Sequence, residues 1–96
     1  MSNEEQAAAV GRLVMEASEC KKRVALLTSD IEALSGALKS ASEHINGTLR
    51  NIDYPDLSLK IAAIPQPDRV LKALADYKSE CERSRQLQER VQSLGL

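Results

Sequence analysis

Two cysteines, one histidine and a single run of three basic residues are the groups in this 96-residue chain whose types suit chemistry. Cys20 and Cys81 stand on the apolar stripes of their segments, where a cysteine acts as a small hydrophobe unless its thiolate is favoured. In the hairpin pairing derived below they lie about 24 Å apart along the helix axis. A disulfide tolerates about 7 Å between Cα atoms. Both thiols are therefore expected to be reduced, which suits a cytoplasmic location; the exception is a symmetric Cys20–Cys20 bridge across a dimer axis. His44 has Glu43 beside it, but Ser40, Ala41, Gly47 and Thr48, at helical reach, supply no catalytic or metal-binding set. It reads as a solvated or interfacial histidine.

The basic run Lys21-Lys22-Arg23 spreads over roughly 200° of a helix, so it is no patch within one chain. Glu19 is placed to pair with Arg23, and Glu82 with Lys78 or Arg85. The chemical alternative is an anion pocket between protomers. There Arg12, Lys22 and Arg23 would surround a phosphate, with the planar guanidinium fork as the natural ligand. Asp53, Tyr54 and Asp56, followed by Leu57, Leu59 and Ile61, form the least regular and most apolar linker. Such a tip reads as a partner-binding site or as a cap over a bundle end. Gly-rich phosphate loops, metal-ligand spacings, nucleophile elbows and paired carboxylates are missing from the sequence. The expectation is therefore no enzyme, no cofactor and no metal.

Composition narrows the classes further. Thirteen Lys and Arg against fourteen Asp and Glu leave a charge of −1, so neither a nucleic-acid arm nor a polybasic membrane patch is expected. No apolar run approaches the ~20 residues of a membrane span, and the acidic Asn3-Glu4-Glu5 start does not read as a signal peptide. Aromatics amount to Tyr54 and Tyr77 alone.

The elements that must position these groups are helices. Val10, Leu13, Ala17, Cys20, Val24, Leu27, Ile31, Leu34, Leu38, Ala41, Ile45 and Thr48 alternate three- and four-residue steps. Eleven of those twelve are apolar, where the 43% average would give about five. A 3.5-residue repeat over five heptads is the signature of a coiled-coil seam. Ser2 with Glu5 forms a capping box, and Glu4 and Glu5 suit the helix dipole. The spacing predicts a helix over 3–52, running through Gly47 and stopping before Tyr54-Pro55 because a residue before proline is pushed out of the α region. Pro67 and Asp68 mark the start of a second helix over 67–94, ended by Gly95. Its stripe reads Val70, Leu74, Tyr77, Cys81, Ser84, Leu87, Val91 and Leu94, with a three-residue stammer after Ser84. Residues 53–66 form the linker, for which a compact cap or short helix is expected.

Folding one helix back on the other pairs residues whose numbers sum to about 117. That register leaves Glu4 to about Val24 overhanging. Val10, Leu13, Ala17, Cys20, Val24 and Leu27 then become the expected self-association face, since wet apolar surface costs roughly 25 cal/mol per Å². Thr28, Ser35, Ala37 and Ser42 occupy flanking positions, which favours a four-helix or larger bundle over a simple two-stranded coil.

The sequence thus predicts a single all-α domain: a long, coiled-coil-like helical hairpin that self-associates into a helical bundle. Its expected function is non-enzymatic binding of another protein, as an adaptor, chaperone-like subunit or small inhibitor. A binder of a small anionic ligand such as a nucleotide between protomers is the alternative, and a purely structural assembly subunit is third.

Overall fold

The computed structural model describes residues 2–94, and every regular element among them is a helix. The first, α1, spans Asn3–Arg50. Its start is the predicted capping box. The Glu5 amide donates to Ser2 Oγ at 3.2 Å, and the Ser2 amide donates back to Glu5 Oε2 at 3.3 Å, so two amides left free by helix geometry are satisfied. The helix continues through Gly47 and ends at Arg50, two residues before the expected stop. Asn51 ends it: its side-chain oxygen accepts from the Asp53 amide at 3.1 Å, and its carbonyl accepts from the Tyr54 amide at 2.9 Å. Asparagine favours such local turns over continued helix.

The linker contains a short helix, α2, over Leu57–Ala62. Asp56 precedes it with φ 64°, the only left-handed non-glycine residue described. Asp is one of the few side chains that adopts this region at modest cost. The third helix, α3, spans Pro67–Ser93, with proline in its first turn and Asp68 at the positive end of the dipole. Gly95, the expected stop signal, lies outside the described residues. No helix is long and apolar enough to cross a membrane among the described residues.

The chain divides into two compact units. One comprises Met1–Thr28 with Ala75–Leu96, and the other Ser29–Leu74. In the first, the beginning of α1 packs along the end of α3 with Cys20 and Leu87 at its centre. Cys20 meets Glu80 there, so paired numbers sum to about 100 rather than 117. The second unit has the same register, since Arg69 pairs with Asp30 at 3.8 Å. Leu34, Ala41 and Ala73 are its buried apolar residues.

This register corrects the predicted overhang. Val10, Leu13, Ala17, Val24 and Leu27 are half-buried and Cys20 is buried, in a unit that also contains 75–96. Within 29–74 the chain does not reverse at once after Arg50; instead Tyr54 folds back over His44 and Gly47. Pairing of Asp30 with Arg69 puts Pro67 level with about residue 32, so the linker descends some 27 Å alongside α1 before α3 begins.

The stripe on α3 also differs from expectation. Val70, Ala73, Tyr77, Glu80, Ser84, Leu87 and Val91 are the buried and half-buried positions that repeat at alternating three- and four-residue steps. This is an unbroken heptad without a stammer. Ala73 and Glu80 hold seam positions that the sequence reading gave to Leu74 and Cys81. Leu74 is exposed instead, and Cys81 sits half-buried on the flank.

Candidate functional site

Glu80 occupies a seam position because its charge is met there. In the unit that contains them, Cys20 Sγ lies 3.2 Å from Glu80 Oε2 and 3.6 Å from the Glu80 carbonyl oxygen, and Arg23 Nε donates to Glu80 Oε2 at 3.3 Å. A carboxylate accepting two donors is tolerated where a lone one would not be. The Cys20 thiol and the Arg23 guanidinium, with Arg83 nearby, hold the Glu80 carboxyl below its ordinary value against the opposing effect of burial. Burial, reinforced by the Glu80 charge, pushes the Cys20 thiol up. A thiol kept protonated is a weak nucleophile at neutral pH, so this group is a hydrogen-bond donor within the core.

Both cysteines are free. They are not 24 Å apart as the sequence register required, because Cys81 follows the residue whose carbonyl faces Cys20 Sγ. The cause is again the shift in pairing.

Of the candidate anion ligands, Arg12 and Arg23 line one groove, and Lys22 is not among its lining residues. Lys22 pairs with Glu19 at 3.4 Å, and Arg23 is committed to Glu80. Arg12 lines a shallow groove with Met15, Glu16, Glu19, Arg23 and Arg83, where carboxylates alternate with the guanidinium groups. Arg85 is likewise engaged, by Glu82 and Glu89, which raises its already high pKa.

The linker tip is built on α1. The Tyr54 ring meets His44 edge-on at 5.3 Å between centroids. His44 is oriented for this by Nδ1, which donates to the Ser40 carbonyl at 2.8 Å; a carbonyl only accepts, so Nδ1 carries the proton. Thr48 Oγ1 donates to the His44 carbonyl at 2.9 Å, which explains a hydroxyl on the apolar seam. Leu57, the first residue of α2, is half-buried, while Asp53, Tyr54, Asp56, Leu59 and Ile61 remain on the surface. The predicted tip residues therefore share one segment, with Leu57 on its inner side.

The largest feature was not a sequence expectation. Among the described residues thirteen large hydrophobic side chains are exposed, and nine of them fall within 29–74: Leu38, Ile45, Leu49, Ile52, Tyr54, Leu59, Ile61, Leu71 and Leu74. A groove in this unit has Ile31, Leu34 and Val70 in its lining, with Leu38 and Leu74 beside them and Ser35 as the sole polar lining residue. The available signal was an α3 heptad traced through Glu80, which leaves Leu74 unused.

Compared with protein-family models, with curated proteins and with solved structures, the chain matches none of them.

Proposed function

We propose that this chain is a non-enzymatic helical interaction module that self-associates into a bundle and binds another protein, working in the cytoplasm. The observation that carries the reading is the concentration of nine exposed large hydrophobic residues in 29–74, against three buried apolar ones in the same unit. Side chains of this size scattered singly are ordinary on a protein surface; many in one segment of 46 residues mark an interaction surface. The polar groups elsewhere support the same reading. Cys20, Lys22, Arg23, Glu80 and Arg85 are paired with one another or with neighbours, which leaves them structural work.

The tip is the proposed site for the other protein, with Leu59 and Ile61 of α2 presented beside Asp53 and Asp56. Capture by the immobilised chain tests this part. Leu59→Asp with Ile61→Asp should abolish capture of a partner retained by the unaltered chain without changing oligomer size. Equal capture by both chains would remove the tip as the site.

A further inference from the structure

We propose that Cys20 and Cys81 are a reversible redox pair, closed into an intrachain disulfide by exchange with a small-molecule disulfide such as glutathione disulfide.

The pairing of α1 with α3 supplies the reach. Cys20 Sγ lies 3.6 Å from the Glu80 carbonyl oxygen, and Cys81 is the next residue along α3. Across a planar trans peptide a carbonyl oxygen stands about 2.8 Å from the following Cα. The Cys20 sulfur is therefore within roughly 6.4 Å of the Cys81 Cα. A formed bridge puts that distance near ~4 Å. Closure thus asks for a turn of the Cys81 side chain and a shift of α3 by roughly 2 Å, the scale on which packed helices slide. Both cysteines belong to one unit, so the bridge needs nothing from 29–74.

Access orders the steps. Cys81 is half-buried on the flank, whereas Cys20 is completely covered. The Cys81 thiolate attacks one sulfur of glutathione disulfide; a Cys81–glutathione bond forms, and one glutathione thiolate leaves. The Cys20 sulfur then attacks the Cys81 sulfur. The intrachain bond forms, the second glutathione leaves as its thiolate, and the Cys20 proton goes with it. Two protein thiols are oxidised, and one glutathione disulfide is reduced to two thiols. Cys20 needs no path to solvent, because its reaction partner is carried by the helix that covers it. On closure Glu80 loses the thiol as a donor and keeps Arg23.

The consequence is positional. Residues 29–74 lie in sequence between the cysteines, so the bridge ties together the two ends of the segment that carries most of the exposed large hydrophobic side chains. In the oxidised chain α1 and α3 cannot part at this layer; in the reduced chain they can.

The test is equilibration of the full chain in glutathione buffers of graded ratio, folded and in urea. Acid quenching, intact mass and peptide mapping then locate each bond, with circular dichroism to confirm folding. The folded chain should form the Cys20–Cys81 bridge and hold it in a buffer about tenfold more reducing than the unfolded chain tolerates, because the fold raises the effective concentration of one thiol at the other. Cys20→Ser should stop at a glutathione adduct on Cys81, and Cys81→Ser should leave Cys20 unmodified. A folded chain that carries glutathione on Cys81 without closing overturns the pair. So does a bridge held no better than in urea, or a disulfide that forms only between chains. Should either serine variant lose helix signal, the unaltered chain, folded against unfolded, decides alone.

Discussion

The ring of Tyr54 lies against Gly47 so closely that a Cβ built on the glycine would stand 2.7 Å from Tyr54 Cε2. This contact holds the start of the linker against the last turns of α1. A glycine inside a helix costs about 1 kcal/mol relative to alanine, and here its missing side chain is what admits the ring.

Gly47→Ala should therefore release Tyr54 while strengthening the helix itself. The gain of about 1 kcal/mol in propensity nearly offsets the loss of an aromatic contact worth ~0.5–1.5 kcal/mol. Overall stability should change little. The decisive readout is the proton–proton nuclear Overhauser effect between His44 and Tyr54, which should vanish in Gly47→Ala; its persistence would show that the ring does not depend on the glycine.

Glu80 should give the chain an acid-sensitive step. Its folded pKa is depressed, so it contributes stability that is fully present above the ordinary glutamate value of 4.5 and is lost as pH falls through the folded value. Glu82, lowered mainly by its hydrogen bond from Arg85, adds in the same direction at an exposed site. Urea titrations at pH 7 and pH 3 should show a smaller stability difference for Glu80→Gln than for the unaltered chain. Equal differences would contradict the role of the seam carboxylate.

Replacing Glu80 with leucine should lower thermal stability, because Cys20 and Arg23 both lose the carboxylate they share. Thermal melts of Glu80→Leu should show a lower midpoint than the unaltered chain; an unchanged or higher midpoint would contradict the role of the seam carboxylate.

The two cysteines should differ in alkylation. Cys20 is 0% exposed with a raised pKa, whereas Cys81 is half-buried on the flank. Iodoacetamide added to the native chain should label Cys81 and reach Cys20 only on unfolding. Mass mapping that found Cys20 labelled first would contradict the packing.

Leu87 should be among the costliest truncations. It is buried at the centre of its unit, so Leu87→Ala should cost about 2–5 kcal/mol. Leu49→Ala, at a position 84% exposed, should fall within about 0.5 kcal/mol. Denaturation at one fixed chain concentration keeps the comparison free of association effects.

The α1 seam was legible in the sequence because its heptad of Val, Leu, Ile and Ala signals one helix face without reference to anything distant. The cap at Ser2 and Glu5 and the start at Pro67 were equally local. The pairing of α1 with α3 was not, since in each unit it rests on a tertiary contact with no periodic signature, Cys20 with Glu80 in one and Asp30 with Arg69 in the other. The α3 seam was misread for a related reason. A glutamate looks like a surface residue until the thiol and guanidinium that meet it are in place, and Cys81 and Leu74 looked apolar enough to replace Glu80 and Ala73. The exposed face around Leu38 and Leu74 follows from that same displacement and could not be seen before it.

Self-association is tested most directly by native mass spectrometry of the purified chain under reducing conditions. The spectrum should show a species at twice the chain mass of 10.5 kDa, or a higher multiple, with no added ligand mass. A lone 10.5 kDa species at every concentration would contradict it, because the apolar surface of 29–74 would then have no second copy to cover it.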